Sequence, residues 1–341
     1  MIPAFMKNLY SREPFSAKIS LKTTIKKYII EEITMRGTFD PGFEKKTINL
    51  IDNIVYSHVR DLDENPLDLK LSIMVQNGNS EMRLAADEDD PREDHTPKPL
   101  LIFVPGGGWR GTDKNLMLGE MPDFVKAGYV VASIYYRSSS QGKWPAQITD
   151  IKTAIRFLRA HAAKFEIDPD HIGIFGRSAG GHLSVMAGMN TSDNITDEWS
   201  GYSSDVQAVI DMFGPVDLQA NMDLEIPRFS DPKFRWHRIE DTHGGALIGG
   251  DPATIYERAA FATPSNYISD KMAPILILHG DNDPLVPPSA SSDLLYDAIC
   301  KAGMEDRCDY YMIHHAGHGT REFFQDSTKE LMLRFWNKHL R

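Results

Sequence analysis

From residue 100 onward, short apolar runs alternate with longer segments whose apolar positions recur every three or four residues. The runs at 100–104, 129–135, 171–176, 206–213, 274–279 and 308–313 predict strands. Helices are predicted at 116–127, 148–164, directly after residue 178, at 290–302 and at 321–339. The second presents Ile151, Ile155, Leu158 and Ala162 on one face, and the third Leu183, Val185, Met186 and Met189. Strand and helix alternating in this way predict an α/β fold with a mostly parallel central sheet and helices on both faces. Ahead of this region, strand-like runs at 48–59 and 67–76 flank an acidic, proline-containing connection and predict an opening hairpin.

Three stretches break the pattern. Residues 1–46 form an N-terminal extension in which Leu21, Ile25, Tyr28, Ile29 and Ile33 mark one face of a short amphipathic helix. That face is expected to cover the body or the mouth of its site, with a homodimer contact as the alternative. Residues 85–99 hold six carboxylates and three prolines, a composition for an exposed loop. Residues 217–265 contain prolines, Phe229, Phe234, Trp236 and Gly244-Gly245 without strand periodicity, which predicts an inserted cap within one domain spanning 47–341.

Composition narrows the partners. A chain of 341 residues that is 41% hydrophobic can bury a large core. Its net charge of −11 argues against a nucleic-acid partner, because phosphate binding needs a basic face. No apolar run approaches the length of a membrane span, and the first residues lack the features of a signal peptide, so the chain is expected in the cytoplasm. Cys300 and Cys308 define neither a disulfide framework nor a metal site and are expected to be reduced.

The chemistry concentrates in four places, each directly after a predicted strand. Gly176-Arg177-Ser178-Ala179-Gly180 joins a strand to a helix, a turn that lifts a serine hydroxyl off the sheet and aims the N–H of Ala179 at developing charge. Asp283, in His279-Gly280-Asp281-Asn282-Asp283, is the candidate acid, with Asp281 as its rival. His318, between Gly317 and Gly319, is the candidate base, whereas His314 and His315 are expected to end the strand. The chain order Ser178, Asp283, His318 suits a serine nucleophile, an imidazole base and a carboxylate that fixes its tautomer. Pro105-Gly106-Gly107-Gly108-Trp109 is a glycine loop whose Gly107 and Gly108 N–H groups, with that of Ala179, could form an oxyanion hole. Trp109, Phe229, Phe234 and Trp236 are candidates for the substrate pocket, although Trp109 and His182 serve equally well as packing residues. This chemistry needs no metal and no cofactor.

Together these four motifs resemble those of the α/β-hydrolase esterases, in particular hormone-sensitive-lipase-like carboxylesterases and bacterial feruloyl and acetyl esterase-like enzymes. Pro145-Ala146-Gln147-Ile148 with Asp150, and Phe213-Gly214-Pro215 with Asp217, are similar to stretches in that group, and the resemblance spans roughly residues 98–338. It implies an α/β-hydrolase fold and a serine carboxylesterase acting on short-chain or aromatic esters through an acyl-enzyme. An amidase, formamidase or peptidase of the same fold, or a silent ligand-binding homologue, are the alternatives. Two positions depart from the group: Pro105 stands where a histidine is usual, and Arg177 replaces the more usual acidic residue or histidine. Arg177 either biases the site toward a carboxylate-bearing ligand or is solvated.

Overall fold

The opening strands β1 (Ile48–Arg60) and β2 (Pro66–Gln76) pair antiparallel, as the flanking turn residues predict. In the computed structural model, residues 38, 47–76, 95–111, 113–191, 198–225, 227, 231–233, 238–250 and 256–341 are described. The helix expected over 21–33, and the pocket candidates Phe229, Phe234 and Trp236, lie outside them. The chain divides into two compact units, Met1–Glu44 and Lys45–Arg341, and the second holds everything that follows.

Among the described residues the sheet has eight strands in the order β1-β2-β4-β3-β5-β6-β7-β8. Strands β3 (Lys98–Val104), β4 (Val130–Ile134), β5 (Ile167–Arg177), β6 (Ala208–Met212), β7 (Ile275–Gly280) and β8 (Cys308–Ile313) run parallel, and β2 joins β4 antiparallel. Strands β3 and β7 read as near-continuous apolar runs because both faces are covered. In β3, Leu100, Ile102 and Val104 enter one core while Leu101 and Phe103 enter the other, and β4 and β7 divide in the same way.

The first core is closed by α2 (Ala146–Ala160), α3 (Ala179–Gly188) and α7 (Ser292–Lys301), the second by α1 (Pro122–Lys126) and α8 (Asp326–Leu340). Trp336 of α8 is fully buried and meets Phe175 of β5 at a ring separation of 6.0 Å. Truncating such a side chain costs about 3–5 kcal/mol. Two helices start later than periodicity predicts. The segment 116–127 is a 3-10 turn followed by α1, because Pro122 suits a first helical turn and cannot continue one already running. Likewise, 321–339 is a 3-10 turn at Arg321–Phe324, an extended Gln325, and then α8. Between β6 and β7 the described residues form α4 (Leu218–Glu225), α5 (His243–Ile248) and α6 (Tyr256–Phe261), with no strand among them. No described helix is long and apolar enough to cross a membrane.

Candidate active site

Parallel strands carry their loops to one edge, and there the four sequence motifs meet. Ser178 lies between the end of β5 and the start of α3 with φ 53° and ψ −126°, a conformation that costs about 1–3 kcal/mol and persists only where its surroundings impose it. Its N–H donates to the Met212 carbonyl (2.9 Å), and its own carbonyl accepts from the N–H of His182 (3.1 Å). The turn closes so tightly that a β-carbon on Gly176 would stand 2.2 Å from the Gly180 carbonyl oxygen. One on Gly180 would stand 2.0 Å from that of Val104. Glycine at these two positions is therefore a packing requirement.

His318, in the loop after β8, places Nε2 2.9 Å from Ser178 Oγ and Nδ1 2.7 Å from Asp283 Oδ2. Phe213 meets the imidazole edge-on at 4.8 Å between centroids. Asp283 is held from its other side, where Oδ1 accepts the N–H groups of Leu285 and Val286, each at 2.9 Å. Burial alone would raise its pKa. The nearby His279 ring, with Nε2 3.4 Å from Oδ2, the hydrogen bond and charge of His318, and the Val286 N–H outweigh burial and hold the carboxyl well below the usual carboxylate range. His279 is itself buried, with Nδ1 2.6 Å from Ser292 Oγ and Nε2 2.8 Å from the Val286 carbonyl. The rival Asp281 turns outward and pairs with His314 Nδ1 and the His315 N–H.

The glycine loop follows β3 directly. Gly107, Gly108 and Trp109 adopt φ values of 138°, 59° and 55° in succession. The loop is held by Tyr136, whose hydroxyl donates to the Pro105 carbonyl (2.9 Å), and by the Ser139 N–H on the Trp109 carbonyl (2.6 Å). Val104 and Pro105 abut the first turn of α3, so the loop and the N–H of Ala179 lie beside Ser178. The first N–H groups of a helix have no partner within it and suit an anionic oxygen.

A cleft opens beside Ser178. Trp109, Leu218, Leu285 and Val286 supply apolar lining, and Glu225 and His243 line the cleft with them. Of the sequence candidates, Trp109 both lines this cleft and packs edge-on against His182 at 5.2 Å. His182 is a core residue; burial pushes its pKa down to about 4, and Nε2 lies 2.7 Å from the Ala262 carbonyl. Arg177 is half-buried instead of solvated, over the Phe213 ring and donating to Met117 Sδ. Sequence reading missed Glu225, His243 and Leu218, which no motif marks, and Leu285, which lies in the acid loop but was not given a role.

A serine at a strand-to-helix elbow, a following acid and histidine, and a glycine loop at one edge of a mostly parallel sheet define the α/β-hydrolase class. The model of the BD-FAE family matches residues 89–298, and the chain belongs to that family. It is 31% identical over 228 residues to the esterase LipC of Mycobacterium tuberculosis, covering 65% of this chain and 53% of that protein. It is 32% identical over 209 residues to the esterase LipQ of the same organism, covering 60% and 46%. The chain thus spans about half the length of the curated relatives it matches. A solved structure of a truncated carbohydrate esterase from gut microbiota superposes with a TM-score of 0.65 at 29% identity, covering 85% of this chain and 95% of that one.

Proposed function

We propose that this protein is a serine carboxylic ester hydrolase that cleaves short-chain or aromatic esters through an acyl-enzyme. The observation that carries the reading is the unbroken path from Ser178 Oγ through His318 to Asp283, at 2.9 and 2.7 Å. In this mechanism Ser178 attacks the ester carbonyl while His318 Nε2 takes its proton. The carbonyl oxygen, now an anion, is held by the N–H groups of Ala179, Gly107 and Gly108, each such donor being worth about 3 kcal/mol in the transition state. Collapse of the tetrahedral centre breaks the C–O bond to the alcohol, which leaves with the proton from His318. Water then attacks the acyl-serine with His318 again as base, releasing the acid and restoring the serine. Asp283 keeps the proton of the neutral ring on Nδ1 and stabilises the imidazolium formed in each half-reaction.

The esterase names of the mycobacterial relatives support this reading, and the apolar lining beside Ser178 supports a small or aromatic substrate. The test is a panel of 4-nitrophenyl esters from acetate to decanoate, with phenolic acid esters, assayed on wild type and Ser178→Ala. Turnover of the short or aromatic members by wild type only is expected. Equal turnover by Ser178→Ala would reject the mechanism, and a preference for the longest chains would reject the substrate class.

A further inference from the structure

Between β6 and β7, the residues at the start of α5 are fastened to the glycine loop. Arg110, two residues beyond Gly108, donates through Nη2 to the carbonyls of Asp241 and Thr242, the latter at 3.0 Å. Thr242 in turn caps α5, its Oγ1 accepting the N–H of Gly245 at 3.0 Å. His243, the first residue of α5, is thereby set against the loop. A β-carbon built on Gly108 would lie 2.3 Å from His243 Cδ2 and 2.7 Å from its Nε2, so the ring occupies the flank that a side chain at 108 would take.

The ring is itself fixed. His243 Nδ1 lies 2.9 Å from Oε1 of Glu225, the last residue of α4. Glu225 is only 8% exposed, and its Oε2 has no hydrogen-bond partner among the described residues. A carboxylate kept in so dry a place, with one oxygen committed to an imidazole, is costly unless orienting that imidazole has a use. Both residues line the cleft that contains Ser178 and Gly108. The site therefore holds, apart from the pairs at Asp283, another carboxylate–histidine pair, set against the glycine loop.

We infer that His243, held by Glu225, is a positioning residue for the oxyanion loop. It walls the open flank of Gly108 and keeps Gly107 and Gly108 in their positive-φ conformation, with their N–H groups toward the carbonyl oxygen of a bound ester. The inference rests on the acyl-transfer reading above. His243 acts through the loop and leaves proton transfer to His318. A loop misplaced by about 1 Å can cost 100-fold in rate without weakening ground-state binding.

The test compares wild type with His243→Ala, Glu225→Ala and Glu225→Gln on 4-nitrophenyl acetate, with thermal melting of each. A phenylboronic acid, which forms a tetrahedral adduct on the serine, measures transition-state affinity. For His243→Ala and Glu225→Ala, kcat should fall about 10- to 100-fold with KM within about 3-fold of wild type, and boronate affinity should fall by the same factor as kcat/KM. Glu225→Gln should recover most of the activity, because its amide oxygen still accepts from Nδ1–H. Unchanged kcat in His243→Ala, a loss confined to KM, or a kcat loss with unchanged boronate affinity would each overturn the inference. If His243→Ala does not fold, the Glu225 pair decides: equal activity in the alanine and glutamine variants overturns it. Wild-type protein that neither turns over ester nor reacts with a fluorophosphonate defeats the acyl-transfer reading and this inference with it. Wild type that does both, beside His243→Ala of unchanged kcat, defeats this inference alone.

Discussion

Replacing Asp283 by asparagine changes one atom and should nearly abolish turnover. In the native site Oδ1 accepts two backbone N–H groups, from Leu285 and Val286, and Oδ2 faces His318 Nδ1 at 2.7 Å. Asparagine has a single acceptor oxygen. Turning its NH2 group toward the two backbone donors would leave both unpaired in a buried place, at about 1–3 kcal/mol each, so the amide oxygen stays with them. The NH2 group is then left facing His318 Nδ1. That nitrogen must now accept a hydrogen bond, which moves the ring proton to Nε2, 2.9 Å from Ser178 Oγ. The base has lost the lone pair with which it takes the serine proton. The same exchange in a serine-protease triad lowers kcat by about 10⁴, equivalent to about 5 kcal/mol on the barrier. The assay is kcat for 4-nitrophenyl acetate, with melting curves showing that the variant is folded. A folded Asp283→Asn enzyme within about 10-fold of wild type would refute the tautomer argument.

Further predictions concern the core that carries the site. Asp211 of β6 is fully buried, and burial raises its pKa from 3.8 to about 7 despite the nearby His279 charge and the Gly214 N–H. The unfolded chain therefore loses this proton at lower pH than the folded one, so stability should fall as pH rises from about 4 to 7 and level off above that. Asp211→Asn, which cannot ionise, should melt higher than wild type by an increment that grows across this window, with a ceiling of about 4 kcal/mol. An increment independent of pH, followed by calorimetry from pH 4 to 9, would contradict this. Asp150→Ala should cost about 3–5 kcal/mol in urea unfolding, because Arg137, which grips Asp150 through Nε and Nη2, would be left without its buried counter-charge. Trp336→Ala should cost a similar amount by urea titration while leaving KM unchanged, since that ring packs the face of the sheet opposite α3.

The parts of the fold legible in the sequence are those where one local rule suffices. Strand β8 occupies the residues its apolar run predicts, and the glycines at 176 and 180 are needed because a β-carbon there would collide with a backbone carbonyl oxygen. Helix starts were less legible, because apolar spacing continues across Pro122 and Gln325 while the backbone does not. Asp281 and Asp283 are indistinguishable by spacing; they separate only once His314 and His318 leave β8 in different directions, one to each carboxylate. Pairing His243 with Glu225 depends on how α4 and α5 fold back on each other, and its approach to Gly108 joins positions far apart in the chain. No periodicity or motif encodes such contacts.

Ser178 should form a covalent acyl intermediate during turnover. Intact-protein mass spectrometry of the enzyme quenched early in turnover of 4-nitrophenyl acetate, followed by peptide mapping, tests it directly. One acetyl group is expected on the peptide containing Ser178, formed with a stoichiometric burst of 4-nitrophenol and absent from Ser178→Ala. Sustained turnover with no burst and no modified serine, or an acetyl group on another residue that forms and decays at the catalytic rate, would contradict it.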